Sequence, residues 1–323
     1  VRNAAIFSFV KVSDNSMVAS VRIARWLHEF LDAPLIWDEG IGECKDLGVL
    51  VIVNGAYGFS KCLEPLSRAI LGAERIVWVQ NDYTIIPPKD EGDAQSPFRR
   101  AFVTRKERGD RPVSFWSTCH KWSERPGSSY VNWNALTFDP SYDLKVIARR
   151  RKSANDQLFY YGSFRDGSGK SSRVPLFDRY FKDPKVPTKV SSPVKKFEER
   201  YPGIVPMGAI TENFYEALGT KGLGLYIEDR KSSEEFHSPA NRFYEMLSAG
   251  LPMVFAPECG TMLRKAGYNP EPYVVRNARE VEGFMRKREE IGAQQRAEWI
   301  PDKLHFRDTL INQVCAAREA LFK

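Results

Sequence analysis

The chain is poor in the residues from which metal sites and covalent cross-links are built. Its 323 residues include only five cysteines and four histidines. Cys44, Cys62, Cys119, Cys259 and Cys315 are widely spaced and contain no CxxC pair, which argues against a zinc site and against a disulfide framework. No His, Asp or Glu cluster has metal-ligand spacing, so no metal is expected. Long apolar runs are also missing. LGVLVIV (Leu47 to Val53) is of strand length and far short of a membrane span. The opening AAIFSFV lacks the basic start, longer apolar core and small-residue cleavage site of a secretory leader. A reduced, cytoplasmic setting is therefore expected, with no integral membrane association and a monomer favoured over an obligate oligomer. No internal repeat is legible. The glycine- and serine-rich GSGKSSR invites a phosphate-loop reading, but that pattern needs a glycine five residues before Gly169, where Phe164 stands.

What is present is an ordinary globular composition, 42% apolar and 12% aromatic, on a chain long enough for two domains. The net charge of +7 favours anionic partners: nucleic acid, an acidic membrane or an anionic glycan. The first half alternates strand-like and helix-like segments. AAIFSFV precedes a helix from about Met17 to Leu31, whose Val21, Ala24, Leu27, His28 and Leu31 form one stripe. PLIW, LGVLVIV and RIVWVQNDYT are further strands, with a helix around Leu63 to Leu71 between the last two. Nearly continuous apolar strands separated by helices predict a parallel sheet covered on both faces.

A different texture begins at Pro87. Residues 87–111 are polar, carry three prolines and hold too little apolar content for a core element. Between Arg99 and Arg125 there are eight basic residues, among them Arg99, Arg100, Arg105 and Lys106, against three acidic ones. Phe98, Phe102, Phe115, Trp116 and Trp122 are interleaved with them, the last three in a strand-like run, PVSFWSTCHKW, and a second such run, YVNWNALTF, follows. Cations that neutralise phosphates and aromatic faces that stack on bases are what a nucleic-acid groove needs; a solvated basic loop beside two core strands has the same composition.

KVIARRRK (Lys145 to Lys152) falls where a linker belongs, and a second alternating set follows it. The domains expected are residues 1–150, with an insertion at about 87–125, then 151–305, then a closing helix at 306–323 that crosses back to the first. In the second set, GLGLYIED leads into HSPANRFYEMLSAGLPMVFAPECG (His237 to Gly260). Ser238 stands where an N-cap belongs and Pro239 in a first helical turn. Gly250 suits a left-handed C-cap, and Pro252 forbids continuation. A helix opening at the carboxyl edge of a parallel strand offers N–H groups and partial positive charge to a phosphate.

This order of parts, with Glu245 ahead of an AGLP turn and a buried strand, resembles the donor-binding helix of GT-B glycosyltransferases. The resemblance covers mainly Asp156 to Val275, the first domain matching by pattern alone. It implies an α/β fold of two Rossmann-like domains facing across a cleft, and transfer of a sugar from a nucleotide diphosphate sugar, a UDP-sugar first, used as co-substrate with no tightly bound cofactor. For the donor it implies Ser163, Arg165, Lys170, Ser238, Asn241 and Arg242 at the diphosphate. Glu245 would take the ribose hydroxyls, and Met207 and Gly208 would hold the base through the backbone. Many retaining members carry a second glutamate eight positions earlier; here that residue is His237, which leaves retention or inversion open and could lie near the transferred sugar. An acceptor hydroxyl must lose a proton, and Asp82, at the end of RIVWVQNDYT, is the candidate base. Tyr83, Asp14 and Asn15 are candidate acceptor contacts. The basic body and aromatic-basic insertion resemble phage enzymes that glycosylate hydroxymethylated pyrimidines in DNA, which act in the host cytoplasm. The alternatives are a GT-B transferase with a cell-wall, lipid-linked or small-molecule acceptor, and a non-catalytic nucleic-acid-binding protein on the same fold.

Overall fold

A computed structural model of the chain describes residues 3–9, 19–53, 63–80, 97–119, 123–137, 155–162, 164–165, 169, 172–191, 195–208, 210, 214–235, 239–300 and 306–323. Two compact units emerge, one of Val1–Leu136 with Arg307–Lys323 and one of Thr137–Phe306. The basic Lys145–Lys152 run lies outside the described residues.

In the first unit the strands are β1 (Ala4–Ser8), β2 (Leu35–Ile36), β3 (Val49–Val53), β4 (Arg75–Gln80), β5 (Ser114–Ser117) and β6 (Ser129–Tyr130). They form one sheet in the order β2-β1-β3-β4-β5-β6, with every pairing parallel. Parallel strands need crossovers, and α1 (Ala19–Leu31), α2 (Leu63–Gly72) and α3 (Pro97–Glu107) lie between them in sequence. All five residues of β3 are buried, as expected for a strand covered on both faces. On α1 the buried side chains include Val21, Ala24, Leu27 and Leu31 of the stripe read from the sequence, whereas His28 of that stripe is exposed.

Helix α3 corrects the expectation of an insertion with no core element. Its inward face carries Ala101 and, four residues on, Arg105, which is only 4% exposed. The Arg105 guanidinium donates to the carbonyls of Ile70 at 2.9 Å and Glu74 at 3.1 Å, and also to that of Ala73. Those carbonyls at the end of α2 have no intrahelical donors, so an arginine takes the place of an apolar residue in the helix–helix contact. A pattern of apolar residues alone could not reveal it. YVNWNALTF also departs from a strand. After β6 the chain turns into a short 3₁₀ segment (Trp133–Thr137), because the Trp133 indole N–H reaches the Trp116 carbonyl at 3.0 Å and draws its ring inward.

The second unit contains β7 (Leu158–Tyr161), β8 (Thr188–Ser191), β9 (Val205–Pro206), β10 (Leu223–Tyr226) and β11 (Met253–Phe255). These form a second parallel sheet in the order β11-β10-β7-β8-β9. Its helices are α4 (Val174–Phe181), α5 (Lys195–Arg200), α6 (Phe214–Gly219), α7 (Arg230–Glu235), α8 (Asn241–Ser248), α9 (Gly260–Lys265), α10 (Ala278–Arg286) and α11 (Arg288–Trp299). The core is rich in aromatic rings: Phe177 and Phe181 stack at 5.6 Å, and Trp299 packs against Phe243, Phe255, Tyr268 and Tyr273.

The last helix, α12 (Phe306–Phe322), belongs to the first unit. Leu310, Val314 and Ala317 are its buried stripe, Gln313 accepts the Asn132 backbone N–H at 2.9 Å, and Arg75 lies 4.7 Å over the Phe322 ring.

Candidate functional site

At the carboxyl edge of the second sheet the strands deliver charge into the interior. β10 ends at Tyr226, and the next three residues are Ile227, Glu228 and Asp229. Glu228 is 2% exposed and Asp229 fully buried. Unpaired carboxylates there would be costly, and three arginines answer them. Arg173, just before α4, donates to Glu228 at 2.6 Å and, through Nε, to Asp229 at 3.3 Å. Arg242, on α8, donates to Glu228 and to the Ile227 carbonyl, the latter at 2.7 Å. Arg165, after β7, donates to Asp229 at 3.1 Å, and Ser232 gives the same carboxylate its N–H and O–H, each at 2.9 Å. Among the described residues, three guanidiniums thus gather on two carboxylates at this strand edge. Burial works against the Arg173 charge, but Glu228, Tyr160 and Asp229 outweigh it and raise its pKa. Burial likewise opposes the Arg242 charge, and Glu228 overrides it. The Arg242 guanidinium is also 5.7 Å and 5.4 Å from the Tyr160 and Tyr226 ring centroids.

Gly162 makes this closeness possible. It follows β7 with φ +145°, and a Cβ there would run into the Arg242 guanidinium and stand 3.0 Å from the Tyr160 hydroxyl.

Helix α8 opens beside the cluster, two residues later than the sequence indicates. Its N-cap is Ala240, extended at φ −68° and ψ 159°, with no side-chain cap. Pro239 therefore precedes the helix instead of entering it. Tyr226 supplies the physical reason, since its hydroxyl accepts the Ala240 N–H at 2.8 Å and holds that residue out of helical conformation. The other end is as expected: Gly250 is left-handed at φ +68°, and the Gly250 and Leu251 N–H groups bond to Leu247 and Met246 carbonyls, each at 3.0 Å. About one turn into α8, Glu245 is 8% exposed and accepts the Tyr161 hydroxyl at 2.8 Å. Burial, then the Glu245 charge, pushes the Tyr161 pKa well up and keeps this O–H a donor.

The sequence-derived donor residues divide accordingly. Arg165, Asn241, Arg242 and Glu245 lie on the elements around this cluster, and Arg165 is the more solvent-accessible arginine at 30% exposure. Met207 and Gly208 follow β9 at the sheet's far edge. The Met207 N–H is bonded to Val190 at 3.0 Å, and the Gly208 carbonyl accepts from Ser191 at 3.1 Å. Ser163, Lys170, His237 and Ser238 lie outside the described residues, as do Asp14, Asn15, Asp82 and Tyr83.

Arg99 lies on α3, where Arg100 and Lys106 are exposed. Two nucleic-acid candidates are corrected. Arg105 is turned inward onto α2, and Trp116 is 2% exposed within β5, so neither offers its face to a base or phosphate. Glu228, Asp229 and Tyr161 were missed. Two adjacent acids directly after the apolar GLGLYI were the available signal, since a strand end that buried needs cations nearby. Among the described residues no group of His, Cys, Asp and Glu could hold a metal ion, and no helix is long and apolar enough to cross a membrane.

No protein-family model matches the sequence, and no curated protein matches it. Solved structures do resemble the fold. An alpha-glucosyltransferase in complex with UDP and a 13-mer DNA containing a central A:G mismatch superposes with a TM-score of 0.55 at 10% identity, covering 99% of both chains. The alpha-glucosyltransferase in complex with UDP-glucose and DNA containing an abasic site gives 0.54 at 11% identity, again over 99% of each. Anabaena Alr3699/HepE in complex with UDP gives 0.55 at 10% identity, covering 98% of this chain and 100% of that one. At such identities the likeness is one of architecture: two parallel α/β sheets in the GT-B fold of these glycosyltransferase structures.

Proposed function

We propose that the protein is a glycosyltransferase that moves a sugar from a UDP-sugar to the hydroxyl of a hydroxymethylated pyrimidine in DNA. The observation that carries the donor half is the arrangement at the second sheet's edge. There a helix without a side-chain cap, a cluster of three arginines and the Glu245 carboxylate lie together. Helix N–H groups and Arg165, with Ser163, Lys170, Ser238 and Asn241, take the diphosphate. Arg242 acts from beneath, by holding positive charge in the interior. Glu245 accepts the ribose hydroxyls, and the backbone at Met207 and Gly208 meets the base.

In the reaction the bond from the anomeric carbon to the diphosphate oxygen breaks, with its electron pair leaving on UDP. The acceptor oxygen bonds to the same carbon and yields its proton to Asp82, the assigned base. His237 is assigned to the transferred sugar. Negative charge grows on the departing diphosphate, where helix N–H groups and guanidiniums lower the barrier most.

DNA as acceptor is supported by the whole-length likeness to structures holding UDP together with DNA, and by the exposed cations Arg100, Lys106, Arg108 and Arg111 of the first unit. Chemistry on a base inside a duplex requires flipping it out of the stack. The test is UDP release from UDP-glucose with unmodified duplex, with hydroxymethylated duplex and without DNA. Release stimulated only by hydroxymethylated DNA, and reduced by Glu245→Gln, is expected; release indifferent to DNA would remove DNA as the acceptor.

A further inference from the structure

Away from the arginine cluster, the second unit gathers basic side chains around one hollow. The end of α4 farther from Arg173 and the first turn of α10 line a concavity of about 610 Å³, with Arg179, Lys182 and Lys185 contributed by the first and Arg279 by the second. The two walls are fixed in place. The Tyr180 hydroxyl donates to the Val275 carbonyl at 2.7 Å, and Asn277 caps α10 by accepting the Arg279 and Glu280 N–H groups at 2.9 and 3.1 Å.

Two carboxylates, Asp178 and Asp183, also line the hollow, and each is engaged. Arg200 and the Tyr201 hydroxyl donate to Asp178, and Lys185 pairs with Asp183. Glu258 in turn takes both Arg179 Nη atoms. Lys182 and Arg279 are exposed, and neither has an ion-pair partner among the described residues. They are the hollow's unpaired charges, one from each wall. Its lining holds no aromatic ring, and Tyr180 is buried. Cations without a stacking surface suit a phosphate backbone better than a base.

We propose that this hollow is a nucleic-acid backbone contact of the second unit, in which Lys182 and Arg279 each neutralise a phosphate. It deepens the reading of DNA as the acceptor and rests on that reading. Contacts of this kind position a duplex without reading its sequence.

The experiment is fluorescence anisotropy of a labelled, unmodified duplex titrated with the full chain over a range of KCl. Wild type is compared with the double variant Lys182→Gln with Arg279→Gln, and with Lys106→Gln of the first unit. Loss of two phosphate contacts should flatten the slope of log K against log salt by about two and weaken binding about tenfold or more at about 0.1 M salt. UDP affinity and the thermal melt should stay those of wild type, since both side chains are exposed and lie at the other end of α4 from Arg173. A slope untouched by the double variant overturns the second-unit contact; if Lys106→Gln still flattens it, DNA as the acceptor stands. Wild type that binds no duplex, or binds it without regard to salt, overturns both. Inorganic pyrophosphate, titrated calorimetrically, separates the other source of the same chemistry. Pyrophosphate binding that the double variant loses while its duplex binding is unchanged would assign the hollow to a free phosphate and overturn the backbone contact.

Discussion

Glu228→Gln removes one anion from between two buried guanidiniums. Glu228 takes Arg173 at 2.6 Å and also Arg242, and the three side chains are 2%, 3% and 10% exposed. After the substitution Asp229 still accepts from Arg165 and Arg173, while Arg242 loses the charge of the carboxylate it donates to. Breaking a buried ion pair by neutralising one partner costs about 3–5 kcal/mol, because the other charge stays buried without compensation. In a domain of this size about 1 kcal/mol moves Tm by about 2–4 °C, so a fall of about 6–20 °C is expected. Differential scanning calorimetry of the full chain reads the transition, and hydrogen exchange in β10 assigns it to the second unit. Glu258→Gln is the internal standard. Glu258 accepts both Arg179 Nη atoms, at 3.0 and 2.8 Å, but the two side chains are 27% and 30% exposed, so its loss should cost no more than about 1 kcal/mol. A Glu228→Gln fall as small as that of Glu258→Gln would refute the account of the cluster as a tightly coupled buried network.

Gly162→Ala should destabilise the second unit and weaken UDP binding together, since the new Cβ displaces Arg242 and the backbone sits at φ +145°; strain of that kind costs about 1–3 kcal/mol before the ion pair is counted, and an unchanged melt would contradict it. Arg105→Ala should lower stability by more than about 2 kcal/mol with little change in the salt dependence of DNA binding, whereas Lys106→Ala should do the reverse, shifting the slope by about one. Burial, with a smaller contribution from Cys119, pushes Tyr130 up to about 12. Below the unfolded value of about 10 its stabilisation is complete, and it is lost as pH rises from there toward 12, by up to about 1.4 kcal/mol per pH unit. Tyr161 and Tyr226 are raised in the same direction, so urea midpoints should fall between pH 10 and 11, and tyrosinate absorbance in the folded protein should lag that of the unfolded chain.

The alternating strands and helices were legible because parallel strands buried on both faces read as continuous apolar runs, as in VLVIV of β3. The C-terminus of α8 was legible because Gly250 and Pro252 have local stereochemical reasons to be there. Its N-terminus was not, since the residue that delays it, Tyr226, comes from another strand. Arg105 was misread for a related reason: a buried arginine on a helix looks like a surface cation until the carbonyls it caps are brought against it. At the site, Glu245 and Arg165 could be named from the resemblance. Their supports, Tyr161 and Asp229, depend on β7 lying beside β10, a pairing between residues more than sixty apart in sequence that no local pattern encodes.

The central claim, sugar transfer to a modified DNA base, is tested most directly by incubating the protein with a panel of UDP-sugars and duplex DNA containing either hydroxymethylated or ordinary pyrimidines, then weighing the released nucleosides. The account predicts a pentose or hexose mass increment on the hydroxymethylated pyrimidine alone, lost in Asp82→Ala and much reduced in Glu245→Gln. Nucleosides of unchanged mass with every donor, while the protein still binds UDP, would contradict it.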